Sequence, residues 1–317
     1  MTNFRQSPPD KRASSRGSAL IAILWVVGLL SIAVFSATQF MFVDLEAESN
    51  SNSMFRAEQM ADRGIAVATD VNVKNGDPVL RQNFPSAQNF FAQISSEGER
   101  LNLNSLLENP EEDRMVLEEL FTRWGLRFDQ ATDVVDNLID WVDDDDLPTN
   151  LGAELPYYIG IDRPHHPFNR PFESLSEVEL VNGFDVVMAI NPNWKDSFTI
   201  LSSGELDLNE APAELIAVTC EVGMAQAELL VEVRDGLDQI RGTDDDQKFE
   251  TVDVALETLG IPEGFRDRIS DRVTVEDNVK RIISVGRSGD VVVERIATIQ
   301  YTGEAGQILQ WSTRRIE

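Results

Sequence analysis

The sequence predicts an α+β protein: one long N-terminal helix, and a small antiparallel sheet whose strands flank a large helical domain. Three observations carry the expectation. Ser18–Val43 is uncharged and mostly apolar. Strand-like segments lie near residues 90–101 and again beyond residue 279. Between them, a helix-patterned middle of about 180 residues repeats its own landmarks.

The N-terminal run reads as a membrane span, since about 20 apolar residues cross a bilayer as a helix. Arg5, Lys11, Arg12 and Arg16 precede it, while Asp44, Glu46 and Glu48 follow. Basic flanks stay in the cytoplasm, so the bulk of the chain is expected outside it. A cleaved secretory signal has a shorter apolar region and a small-x-small cut site, which this run lacks. A plain membrane anchor fits the composition as well. No proline occurs between Pro9 and Pro78, and Met54, Ala57, Ala61, Ile65 and Ala68 fall on one helical face. One helix from Ser18 to Thr69 would be roughly 78 Å long, so its second half must pack on a globular domain.

Phe90–Ile94 and Gly98–Leu101 read as short strands around a Ser-Ser-Glu-Gly turn. Arg281–Val285, Val291–Gln300 and Gln307–Ser312 are rich in β-branched and aromatic residues, with Gly289 and Gly303 in the turns between them.

The helical middle repeats. Leu101-Asn102-Leu103-Asn104 returns as Leu206-Asp207-Leu208-Asn209, and Phe172-Glu173-Ser174-Leu175 returns as Phe249-Glu250-Thr251-Val252. Gly125-Leu126 and Gly223-Met224 each precede an apolar-periodic helix. The Asn that ends each L-x-L-N motif suits an N-cap. The first copy is longer, and its extra residues fall in the acidic Asp143–Arg170. Each copy resembles the SAM-like, helix-hairpin-helix module. In its DNA-binding form that module offers basic residues to phosphate, but here the hairpin turns sit among acids. The expected organisation is a basic leader at 1–17, the long helix at 18–70 and the first strands at 71–101. The first repeat with its acidic insertion follows at 102–185, a connector at 186–205, the second repeat at 206–278 and the closing strands at 279–317.

The net charge of −28 argues against nucleic acid as a partner and favours solubility, divalent cations or a basic protein surface. The lone Cys220 lies in an apolar run and reads as a buried, inert thiol. Asp140, Asp143, Asp144, Asp145 and Asp146 cluster, with Asn150 and Glu154 close behind. Two readings stand: a solvated acidic face, or hard oxygen ligands for Ca²⁺ in a flexible loop. The spacing is not that of an EF-hand. His165 and His166 are adjacent, without a cysteine near, which is a poor zinc pattern. The histidines lie in a proline-flanked loop and no nucleophile motif occurs, so no enzyme is expected.

The order of these motifs is specific. Arg16-Gly17 precedes an apolar helix with Ala22, not Glu, at the fifth position after Gly17. Leu101–Asn104, Ile139-Asp140-Trp141-Val142-Asp143, Gly152–Tyr158, Pro171–Leu180, Asp207–Ala211 and Trp311 follow in turn. In this order the chain resembles the K-type minor pseudopilins of bacterial type II secretion. The resemblance implies a pilin-like helix and sheet carrying the helical domain, and prepilin peptidase cleavage between Gly17 and Ser18, with N-methylation at the new terminus left open. It also implies a single pass through the inner membrane with the C-terminal domain periplasmic. The subunit would sit at the pseudopilus tip beside the I and J minor pseudopilins, above the inner-membrane secretion platform. Family members bind calcium in the helical domain, which implies a site among the acidic residues above. Val27, Leu30, Met54, Ala57 and Ala61 would face partner helices. A membrane-anchored periplasmic adaptor with helical protein-binding modules is the alternative.

Overall fold

The computed structural model describes residues 15–316 other than 240, 242 and 244. The expectations placed on residues 1–14 lie outside the described residues. Helix α1 runs Ser15–Ala68, beginning three residues before the expected Ser18. Contacts divide the chain into two units after Arg56. In the first, Leu20–Gln39 is long and apolar enough to cross a membrane, and every residue of it is exposed.

The second unit opens with the last turns of α1, which lie on a sheet. The sheet is built from β1 (Arg81–Phe84), β2 (Gln88–Ser96), β7 (Val279–Ser288), β8 (Val291–Thr302) and β9 (Ala305–Ile316) in that spatial order, all antiparallel. Ala57, Ala61, Ile65 and Ala68 are the buried stripe of the helix. They meet a strand with no side chain at the crossing point. A Cβ on Gly286 would sit 2.1 Å from the Ala57 carbonyl oxygen and 2.2 Å from the Ala61 nitrogen. From the helix side, a Cβ on Gly64 would sit 2.1 Å from Ser284 Oγ. Backbone therefore packs on backbone, and Ile65, Leu80, Ala92, Ile282, Ala297 and Ile299 fill the space beside it. Arg295 ties the two elements from the rim, with Nε 2.8 Å from Asp62 Oδ1. This corrects one expectation. Ala57 and Ala61 are fully covered by the chain's own sheet and offer nothing to a partner.

Strands β2 and β7 are neighbours in the sheet, yet residues 97–278 lie between them in sequence. The helical domain is thus an insertion between adjacent strands. A second correction falls at its entrance. Glu97–Glu99 form a 3-10 turn, not a strand, and Leu101–Asn102 (β3) pairs parallel with Phe198–Thr199 (β4) inside the insertion. The hairpin partner of β2 is instead β1.

The insertion holds α2 (Leu103–Glu108), α3 (Pro110–Trp124), α4 (Phe128–Val142), α5 (Leu155–Gly160), α6 (Leu175–Val178) and α7 (Phe184–Ile190). After β4 come β5 (Leu206–Asp207), α8 (Ala213–Thr219), α9 (Met224–Arg234), α10 (Val252–Thr258), α11 (Glu263–Ser270) and β6 (Val273–Thr274), which pairs parallel with β5. Each helix follows local chemistry. In α3, Pro110 fills the first turn with Glu111, Glu112 and Asp113 behind it, and Gly125 closes the end at φ 113°, in the left-handed region. One apolar core runs through both halves, from Leu101 to Val273. Residues 186–205, expected as a connector, contribute to it, because Trp194 and Phe198 are fully buried and pack edge-on against Phe184 and Trp124.

The two L-x-L-N motifs do the same work in both halves. Asn104 Nδ2 donates to the Phe172 carbonyl at 3.0 Å, and its Oδ1 accepts from the Phe172 N–H at 2.8 Å. Asn209 does this to Phe249 at 2.9 and 2.8 Å. The expected N-cap role belongs elsewhere: Asn102 caps α2 by accepting from Ser105 N–H at 3.2 Å.

Candidate metal centre

Helix α4 positions the site. Its apolar face, with Val134, Val135, Leu138 and Trp141, goes into the core. Asp136, Asn137 and Asp140 are also buried on it, and Asp136 and Asp140 are one turn apart. Buried polar groups need partners. The loop after the helix supplies them from its backbone. Thr149 N–H donates to both Asp140 oxygens at 3.0 and 3.2 Å. Leu151 N–H donates to Asp136 Oδ2 at 3.1 Å, and Asn137 Nδ2 donates to the Leu151 carbonyl at 3.1 Å. Arg114 from α3 completes Asp136, with Nη2 at 2.8 Å.

This stitching brings Asp140, Asp143 and Glu154 together, each offering an oxygen within 4.8 Å of the others. Gly152 permits the approach, since a Cβ there would lie 1.9 Å from Asp140 Oδ2. Both Glu154 oxygens and Asp143 Oδ1 are buried and accept no hydrogen bond. Their charge is correspondingly costly. Burial, then the neighbouring Asp140 and Asp143, pushes the Glu154 carboxyl up to about 7. Burial, then Asp140 and Asp145, pushes Asp143 up to about 6. Asp140 is raised by burial as well, against the opposing hydrogen bonds from Thr149.

Three convergent carboxylates with unfilled buried oxygens fit a hard divalent cation with oxygen ligands. Not every acid expected at such a site belongs to the cluster. Asp144, Asp145 and Asp146 are exposed and lie outside it, and Asn150 is exposed as well. Asp145 Oδ1 accepts from Leu147 N–H at 2.7 Å and so shapes the loop. Sequence reasoning missed Thr149 and Gly152, whose roles are a backbone donor and a missing Cβ. The only hint was a glycine two residues before Glu154. His166 sits among the rings of Trp141 and Phe168, at 5.3 and 4.9 Å, apart from the carboxylates. Burial pushes the Cys220 thiol up to about 12, which makes it a poor nucleophile.

The fold is thus a long helix whose apolar first half is a candidate membrane anchor, and an antiparallel sheet that packs on small residues of the helix's last turns and carries a helical insertion. Residues 99–189 match the family model of type II secretion system (T2SS) protein K, first domain. That match lies within the helical insertion, residues 97–278. The fold of the chain matches GspK in the GspK–GspI–GspJ complex from the type 2 secretion system of enterotoxigenic Escherichia coli. The TM-score is 0.61 at 17% identity, over 88% of this chain and 99% of that one. No curated protein matches the sequence.

Proposed function

We propose that this subunit sits at the tip of the pseudopilus and assembles through its N-terminal helix with minor pseudopilins of the I and J types. There it helps to initiate the filament that drives protein export from the inner-membrane platform. Its role is structural, not catalytic. The observation that carries this reading is Ala22. After a cut between Gly17 and Ser18 by prepilin peptidase it would be the fifth residue, where most pilin-like subunits place a carboxylate that docks on a neighbour. A carboxylate in an apolar bundle is costly without that partner, so its replacement by alanine suits a subunit with nothing above it. GspK occurring in one complex with GspI and GspJ supports the choice of partners. The basic leader supports a cytoplasmic N-terminus and a periplasmic C-terminal domain.

Val27 and Leu30 are exposed on the apolar helix and would meet the partner helices, with the half-buried Met54 further along. Asp140, Asp143 and Glu154 would hold a calcium ion. When bound, calcium would offset most of the charge of the three carboxylates, while Thr149 and Gly152 keep the loop against α4. The test is co-purification of the I and J subunits from membranes. Val27→Arg or Leu30→Arg should abolish it, with the sheet and helical domain still folded by circular dichroism. Unchanged co-purification would remove the helix-mediated reading.

A further inference from the structure

The two edges of the five-stranded sheet are built differently. Strand β1 is four residues long, and Arg81 within it stacks over Phe91 at 4.8 Å. Short length and edge charge are common devices that stop a sheet from growing. Strand β9 has neither protection along most of its length. It is 12 residues long and exposed at every position, and Ala305–Thr313 contains no charge and no proline. One flank is paired to β8; the other has no strand beside it among the described residues.

The side chains on this edge are not those of an ordinary solvated strand. Ile308, Leu309, Trp311 and Ile316 are all exposed. Register places Ile308 opposite Ile299 and Trp311 opposite Ala297, on the face that carries α1. Leu309 is the additional residue at the bulge between Thr298 and Ile299. Trp311 is already held in place: the Arg295 guanidinium lies 5.5 Å from its ring centroid, and Arg295 is itself fixed by Asp62. Arg314 and Arg315 precede the last residue of the strand, opposite Glu294 and Val293, and neither forms an ion pair among the described residues. They are conspicuous in a chain with 27 basic and 55 acidic residues.

We propose that β9 is a docking edge for an extended segment of another protein. That segment adds to the sheet as a sixth, antiparallel strand, with uncharged side chains along Ile308–Thr313 and carboxylates at its N-terminal end against Arg314 and Arg315. An open ladder of peptide N–H and C=O groups is satisfied by another extended backbone, which sets the class of occupant. The arginine pair sets its charge. A second copy of this chain is the poorer occupant, because two bodies of net charge −28 repel. This inference concerns a surface distinct from the N-terminal helix, and its test does not involve the I and J subunits.

The probe is a synthetic 12-residue peptide of alternating valine and threonine with two glutamates at its N-terminal end. It is added to the full chain in detergent at low salt, with affinity read by fluorescence anisotropy and the site by amide hydrogen exchange. The expected result is slowed exchange confined to residues 305–316. Affinity should fall about tenfold in Arg314→Glu combined with Arg315→Glu, or with a peptide whose glutamates are replaced by lysines. A peptide N-methylated at alternate residues should not bind, since it cannot continue the ladder. Absence of slowed exchange in residues 305–316, or equal binding of the N-methylated peptide, would overturn the proposal. So would slowed exchange there that needs no peptide and rises with protein concentration, because the edge would then belong to a second copy.

Discussion

Asn104 grips both backbone groups of Phe172, 68 residues away, donating to its carbonyl at 3.0 Å and accepting from its N–H at 2.8 Å. Asn209 holds Phe249 in the same way and in addition donates to the Val275 carbonyl at 2.8 Å. The amide is suited to this task because it carries a donor and an acceptor side by side, as the peptide group does. Each clamp ties the start of one helical half to the segment that begins its later helices, Ser174 capping α6 and Thr251 capping α10.

Removing a clamp leaves buried backbone groups without partners, at a cost of roughly 1–3 kcal/mol. Asn104→Ala should therefore lower the denaturant midpoint clearly. Asn209→Ala should lower it further, because it also strands the Val275 carbonyl. Midpoints within error of the parent chain for both would show that the amides contribute nothing to the packing.

The crossing of α1 and β7 depends on a glycine. Gly286→Val should detach the last turns of the helix from the sheet, since even a Cβ would fall inside the contact distance of the Ala57 and Ala61 backbone. The expected readout is fast amide exchange in residues 57–68, while the helical insertion keeps its protection. Retained protection of the helix in the variant would contradict backbone-on-backbone packing.

Calcium dependence follows from the three-carboxylate cluster. A ligand that binds only the folded state adds roughly 2.7 kcal/mol at 100-fold excess over its Kd. The chain should melt higher in Ca²⁺ than in chelator. Glu154→Gln or Asp140→Asn should remove most of that difference, and Asp145→Asn, outside the cluster, should leave most of it. Equal melting with and without Ca²⁺ in the parent chain would leave the acids as a proton-bearing buried cluster and nothing more.

The same residues predict a pH dependence without metal. Glu154 titrates at about 7 and Asp143 at about 6 in the folded chain, against ordinary values of 4.5 and 3.8. The folded state then holds more protons than the unfolded state between those limits, so its stability falls as pH rises through that window. In chelator, melting temperature should decline from about pH 4 to pH 7, and Glu154→Gln should flatten the upper part of the decline. A rise in stability over this range attributable to Glu154 would contradict the assigned environment.

Much of this was legible in the amino-acid order. The apolar run, the proline-free stretch behind it and the Ala57–Ala68 stripe announced a helix half of which must pack on a globular domain. The paired L-x-L-N and Phe-Glu motifs announced the two halves, although what they do, clamp instead of cap, depends on which distant backbone the fold brings to each amide. Strand β1 escaped notice because Arg-Gln-Asn-Phe has no strand-like composition; it pairs because β2 lies beside it. Among seven candidate ligands, composition could not choose. The choice depends on where α4 stops after Val142 and on Gly152 letting the loop close over Asp140, and neither is a property of the acids themselves.

The most direct test of a tip pseudopilin is the N-terminus of the natively expressed chain, determined by intact mass and terminal peptide mapping in cells with and without prepilin peptidase. Cleavage between Gly17 and Ser18 that requires the peptidase, and that Gly17→Val blocks, is the expected result. A terminus after Ala37, or an uncut chain in cells that hold the peptidase, would contradict the account.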